Sequence, residues 1–186
     1  MFQDSDMKIV GEKPSSDVKK NIELYGDIVV YDKEKANGNI KKAKELGAVL
    51  ATEFVSVCKK DELTISENDS ESLITQKVLL LSFTVMAGLE EFCPNITIAN
   101  AARSAFFDEL HNLDEGLFEK SSDTGAFSFY YLSFRRGTEV DRRVGQTFAM
   151  LCSHDGDPIY QELGEALYCW FLSTVQKNVN QTEFVK

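Results

Sequence analysis

The amino-acid sequence predicts an all-α fold, a single-domain helical bundle of six or seven helices with a buried central helix near residues 73–92. Three observations lead to this fold class. Apolar residues recur every three or four positions along most of the chain, as they do in amphipathic helices. Glycine, proline and polar residues interrupt this pattern only over short connections. A chain of 186 residues has the usual length of one domain and can bury a core without disulfides or a structural metal.

The sequence is expected to form an arm, a helical domain and a tail. Residues 1–13 have no clear hydrophobic period, and we expect a flexible N-terminal arm there. The helical domain covers residues 14–178 and begins at Pro14 to Asp17, where hydroxyl and carboxylate groups can cap the first helix. Residues 28–31 continue this helix, although their β-branched and aromatic side chains also fit a short strand. Residues 179–186 are expected to form a frayed tail.

Three further helices are predicted in the central part of the sequence. Apolar stripes at helical spacing predict helices over residues 39–60 and 96–113. Between them, a helix from Ser70 to about Phe92 contains the apolar run Val78 to Leu89. This run is flanked by charged residues and is shorter than the roughly 20 apolar residues that a membrane-spanning helix needs. We therefore predict a core helix that is buried on several sides, and no membrane contact.

The last third of the sequence is predicted to add two or three elements. Residues 114–125 contain glycines, serines and acidic residues, and we expect a loop there that can include one helical turn. Residues 126–136 are rich in aromatic residues and fit either a helix or a strand. A helix over residues 139–153 follows. The final helix starts at Pro158, because proline is favoured at the first helical position.

The charge and the cysteines restrict the class of protein. Acidic residues outnumber basic residues by 30 to 20, which gives a formal net charge of −10. A surface this negative repels phosphate backbones, so nucleic acid is not an expected partner. The N-terminus lacks the apolar segment of a signal peptide. No two of the four cysteines have the C-x-x-C spacing of zinc or redox motifs, and we expect reduced thiols in a cytoplasmic protein.

Only two histidines are present for acid–base or metal chemistry. Asp108 and His111 are three residues apart and share a helix face, which is half of the carboxylate–histidine motif of di-iron bundles. They are the candidate metal ligands, although a solvated surface pair has the same spacing. His154 has no carboxylate three residues before it, and a triad is assembled by the fold rather than by sequence neighbours. Nucleotide-binding loops and zinc-protease motifs are absent, so we assign no catalytic residue and no cofactor.

Arginine is concentrated at one turn. Four of the five arginines flank Gly137 and Thr138; they are Arg135, Arg136, Arg142 and Arg143. Planar guanidinium groups suit carboxylate and phosphate ligands, and the start of the following helix also attracts anions. Tyr130 and Tyr131 lie just upstream and could orient a ligand inside an apolar pocket. The alternatives are ion pairs with Glu139 for the arginines and core packing for the aromatic residues.

These observations favour a non-enzymatic helical binding or regulatory module. Its ligand would be a protein partner or a small acidic molecule bound at the arginine turn. Two other functions remain open. One is a metal-dependent enzyme with a carboxylate–histidine site in the bundle. The other is a homo-oligomeric structural protein, which would leave an apolar face exposed in the monomer.

Overall fold

The structure is a computed structural model that describes residues 28–59, 71–122, 124–135 and 137–185. These residues form eight helices and no strand, which confirms the predicted all-α bundle. The helices are α1 (residues 28–36), α2 (Asn39–Lys59), α3 (Glu71–Phe92), α4 (Ile96–Leu113), α5 (Glu115–Ser121), α6 (Thr124–Phe134), α7 (Val140–Leu151) and α8 (Pro158–Gln181). The predicted arm over residues 1–13 and the predicted helix start at Pro14 to Asp17 lie outside the described residues.

Helix α3 is buried on two opposite faces, which confirms its predicted place at the centre of the bundle. One face packs in a cluster with α2, α4 and α8 through Val78, Leu81, Val85 and Leu89. The other face packs in a second cluster with α6, α7 and α8 through Leu80, Phe83 and Ala87. Because both faces are covered, the sequence shows a continuous apolar run here instead of a single stripe.

Among the described helices, only α3 has the length and the apolar composition that a membrane-spanning helix needs. In this fold, 67% of its most apolar window is buried inside the protein. Burial of this kind is typical of the core helix of a soluble protein, and the fold is compatible with one.

Helix α5 is the one helix that the sequence pattern did not predict, and it raises the number of helices to eight. Asp114 separates it from α4 and serves both helices. The backbone N–H of Asp114 donates to Leu110 O at 2.9 Å and closes α4, and its carboxylate accepts the N–H of Leu117 at 3.0 Å and starts α5. Leu117 and Phe118 then pack against the first cluster. Two partly buried side chains and one capping bond are enough to hold a helix of seven residues. Two apolar positions are too few to show a helical period in the sequence.

The two segments that fit either helix or strand are both helical. Residues 28–31 belong to α1, and the aromatic segment forms α6. In α6, Phe127, Tyr130 and Phe134 stand at helical spacing and all have rings within 7 Å of Phe83. Packing against α3 therefore decides in favour of the helix.

The end of the chain is held more closely than expected for a frayed tail. Helix α8 continues to Gln181, and residues 182–185 follow in non-helical conformation. Phe184 packs against the first cluster, and the backbone of Val185 is hydrogen-bonded to Asn39 of α2. The pattern of residues 179–186 did not show this, because the partner lies 146 positions earlier in the sequence.

Candidate functional site

The largest cavity described here is a groove between α1, α2 and α4, with a volume of about 740 Å³. We call it the α1–α2–α4 groove. Its apolar walls and small floor residues are Ile28, Tyr31, Ile40, Ile96, Ala101 and Ala105. Its polar side chains are Lys44, Thr97, Asn100, Ser104 and Asp108. The volume lies within the range of about 300–1,000 Å³ that is usual for ligand pockets.

The base of the groove is formed by α2 and α4, which pack unusually closely. Gly47 permits this approach, because a Cβ at that position would lie 2.2 Å from the backbone oxygen of Ala102. Along α4, Asn100, Ser104 and Asp108 follow at intervals of four and form a polar line beside the small floor residues. The hydroxyl of Ser104 donates to the Asp108 carboxylate at 3.5 Å.

One wall of the groove is α1, which is anchored by a buried carboxylate. Glu34 accepts hydrogen bonds from Asn39 Nδ2 at 2.5 Å and from Asn95 Nδ2 at 3.0 Å. Asn95 in turn caps α4 by accepting the N–H of Ile98 at 3.0 Å. A single polar network thus ties α1 to the first turns of both α2 and α4.

The rim of the groove exposes apolar side chains. Ile28 is 49% exposed and Ile96 is 58% exposed, and both line the groove. Val29 and Val30 are also exposed on α1 but do not line the cavity. They lie on other faces of α1, so the exposed apolar side chains at the groove itself are Ile28 and Ile96. Exposed apolar side chains beside a groove are typical of a binding site.

The arginine turn has a different character, because its side chains lie on the surface. The guanidinium carbon of Arg135 lies 5.1 Å from the ring centre of Tyr131, in a cation–π arrangement. Arg142 lies 3.8 Å from the Glu139 carboxylate, and Arg143 donates to the Thr138 hydroxyl at 3.4 Å. The side chain of Arg136 lies outside the described residues. None of the three cavities described for this part of the chain is lined by these arginines.

The two candidate tyrosines face different surroundings. Tyr130 is fully buried against Phe83, and its hydroxyl has no hydrogen-bond partner among the described residues. Burial raises the pKa of this phenol well above its ordinary value. Tyr131 is partly exposed and donates to the Glu90 carboxylate at 3.4 Å. The structure thus joins Tyr131 to Arg135 and places Tyr130 in the core.

No third metal-ligating side chain lies beside the candidate ligands Asp108 and His111 among the described residues. The ring of His111 packs on Phe118 with ring centres 4.9 Å apart, and Asp108 accepts its bond from Ser104 at the groove. Within the described ranges, no three histidine, cysteine or acidic side chains are grouped so that they could hold a metal ion.

The second histidine belongs to the turn between α7 and α8. His154 stacks on Tyr160 with ring centres 3.8 Å apart, and its Nδ1 is 3.9 Å from the Asp157 carboxylate. Asp157 caps α8 by accepting the N–H of Ile159, as predicted from Pro158. Burial raises the pKa of the neighbouring Cys152 thiol to about 11, so the thiol is protonated at neutral pH and a poor nucleophile.

The groove was missed at the sequence level. Its residues come from three helices, and only Asp108 among them was a candidate. The available signal was the apolar segment Ile28 to Tyr31, whose four consecutive side chains cannot all face the core of one helix. The chain matches no known family model, no curated protein and no solved structure. Function can therefore be inferred only from the chemistry of the described side chains.

Proposed function

We propose that this protein is a non-enzymatic helical binding module of the cytoplasm, and that the α1–α2–α4 groove binds an apolar, amphipathic segment of a protein partner. The observation that carries this proposal is the exposed apolar rim around a groove with a small-residue floor. The four free cysteines, none of them in a disulfide, support a reducing compartment.

A protein segment fits the surface better than a small ligand does. A small molecule inside the cavity would leave the outer parts of Ile28 and Ile96 exposed at the rim. A partner helix in the groove could pack its apolar side chains against Ile28 and Ile96. Its polar side chains could lie opposite Asn100, Ser104 and Asp108. The floor residues Ala101 and Ala105 permit close approach of such a helix.

The test is selection of a displayed library of helical peptides on the purified protein, followed by affinity measurements on two matched variants. Ile96→Asp places a charge at the rim of the groove, and Ile159→Asp places the same charge at another exposed isoleucine, on α8. We expect selected peptides to bind Ile96→Asp at least about tenfold more weakly. The peptide would bury the side chain at position 96, and burial of a carboxylate there is unfavourable.

The control variant should bind the same peptides within about twofold of the wild type, because Ile159 does not line the groove and would make no contact with the peptide. Equal losses on both variants, or no peptide whose binding needs Ile96, would contradict the groove assignment. A dimer in sedimentation that dissociates on Ile96→Asp would assign the apolar surface to a second copy of the chain instead.

A small acidic ligand at the arginine turn is a second candidate. The observation that favours it is the exposure of Arg135 and Arg142 near the start of α7, whose N-cap residue Glu139 makes no side-chain capping bond. Replacement of all four arginines, 135, 136, 142 and 143, with glutamine should abolish any binding of inorganic phosphate or pyrophosphate measured by calorimetry. The matched control replaces four lysines with glutamine, at Lys33, Lys35, Lys41 and Lys177. It has the same net charge as the arginine variant and should still bind phosphate or pyrophosphate. Equal behaviour of the two variants would remove the assignment.

A further inference from the structure

The backbone of the last described residues is hydrogen-bonded by side chains of α2 and not by the backbone of another element. Val185 donates its backbone N–H to Asn39 Oδ1 at 2.9 Å, and its carbonyl accepts a bond from Asn39 Nδ2 at 2.8 Å. The ammonium group of Lys42 donates to the carbonyl of Glu183. The Asn39 amide thus bonds both the N–H and the carbonyl of Val185, as the backbone of an adjacent strand does in an antiparallel sheet.

The Asn39 amide is buried and fixed in orientation. Its Nδ2 also donates to Glu34 Oε2 at 2.5 Å, and Asn95 donates to the other oxygen of Glu34. The nitrogen of Asn39 faces Glu34, and its oxygen faces the N–H of Val185, which can only donate. Asn39 has no exposed surface while the tail is in place. Release of the tail would leave its bond to Glu34 and remove both of its bonds to Val185.

The occupant is recognised by one aromatic side chain and by backbone. Phe184 packs against the first hydrophobic cluster. The side chain of Val185 is half-exposed, although its backbone makes two of the bonds described above. The site therefore selects for an aromatic residue followed by a residue with a free N–H, and it places little demand on the second side chain.

We propose that Asn39, Glu34 and Lys42 form a binding site for an extended peptide of a partner protein, and that the chain's own residues 183–185 occupy it as an intramolecular competitor. A tethered segment has an effective concentration on the order of millimolar, which a partner peptide must overcome. The site shares the Glu34 network with the wall of the α1–α2–α4 groove, but it binds its peptide on other side chains and does not depend on the function of the groove.

The test uses a fluorescently labelled peptide with the sequence of residues 181–186, ending in an amide, and a chain that ends after Gln181. We expect the shortened chain to bind the peptide in fluorescence anisotropy. The full chain should bind it at least about tenfold more weakly, because its own tail competes.

Variants of both components test the recognition chemistry. A peptide with Phe184→Ala, or with a methyl group on the nitrogen of Val185, should lose binding, whereas Val185→Ser should retain it. In the shortened chain, Asn39→Leu should abolish binding, and Asn112→Leu, at an exposed position of α4, should leave it unchanged.

Three results would overturn the proposal. The first is a shortened chain that keeps its helical circular dichroism but does not bind the peptide at about 1 mM. If the shortened chain does not fold alone, a cooperative thermal transition restored by the peptide supports the proposal. No restoration is the second overturning result, since the tail is then a structural element and not an exchangeable ligand. A full chain that sediments as a dimer, and as a monomer once it ends after Gln181, is the third, because the tail then serves a second copy.

Discussion

Gly47 shows how one residue without a side chain determines the distance between two helices. The nearest atoms to a Cβ there would be the backbone oxygen of Ala102 at 2.2 Å and the backbone nitrogen of Phe106 at 2.8 Å. Backbone atoms cannot turn away as a flexible side chain can, so Gly47→Ala must push α4 away from α2. We expect a loss of about 2–4 kcal/mol in the free energy of unfolding, measured by urea denaturation.

Gly116 in α5 is the matched control. A Cβ there would meet only the Asp114 carboxylate, at an ordinary contact distance of 3.5 Å. Gly116→Ala should be neutral or should stabilise by up to about 1 kcal/mol, because alanine loses less conformational entropy in a helix. If the two substitutions have the same effect, close packing at Gly47 is not what positions the floor of the groove.

Single residues are also where the sequence was least informative about function. Arg135 and Tyr131 do lie together, but the contact is between their own side chains and not around a cavity. Asp108 lines the groove, whereas His111 packs on Phe118. Spacing along a helix shows which residues share a face, and it does not show what that face meets. Asn39 and Val185 could not be paired from the sequence for the same reason.

At the scale of elements, α5 depends on the single residue Asp114. Its carboxylate caps the helix and lies 2.9 Å from the ammonium group of Lys59 at the end of α2. We expect Asp114→Ala to cost about 1 kcal/mol at neutral pH, in urea denaturation, through loss of the cap. Asp114→Asn keeps an acceptor for the N–H of Leu117 and should cost less than about 0.5 kcal/mol, since Lys59 is exposed and water screens the ion pair.

The pH dependence distinguishes a charge effect from a shape effect at Asp114. The bond from the Leu117 N–H, followed by the bond from Lys59, lowers the pKa of this carboxyl in the folded protein. Its contribution is therefore present above the unfolded value near 4 and is lost as the pH falls through the lower folded value. The difference between wild type and Asp114→Ala should shrink in acid. A difference that is constant with pH would contradict this assignment.

Most elements could be predicted because periodicity survives wherever a helix has one or two buried faces. Helix α4 lies over the predicted residues 96–113, and α2 ends at Lys59, one residue before the predicted end. The continuous apolar run of α3 correctly indicated a central helix. Helix α5 was too short for this signal, and the choice between helix and strand in α6 needed Phe83, which comes from another element.

At the scale of the whole molecule, the thiols report on how tightly the bundle is packed. Burial, and secondarily the negative charge of Asp114, raises the pKa of Cys58 to about 12. Burial raises the pKa of Cys93 to about 11. Cys169 is exposed, and its pKa is raised mainly by the partial burial of its sulfur. We expect thiol reagents to modify Cys169 first in the native protein.

The same thiols predict that the folded bundle loses stability in alkali. Up to the unfolded pKa of about 8.5, Cys58 is protonated in both states, so its titration has no effect on stability. Above that pH the unfolded chain releases the proton while the folded chain retains it, so the free energy of unfolding falls by up to about 1.4 kcal/mol per pH unit for such a group. Urea denaturation at about pH 8, 9 and 10 should show this fall, and Cys58→Ala should reduce its slope by about 1 kcal/mol per pH unit. Cys169→Ala should change the slope much less, because that thiol is less buried in the folded protein. Equal slopes for the wild type and Cys58→Ala would mean that water reaches this sulfur at the junction of α2 and α5, and that the first cluster is less closed than its packing indicates.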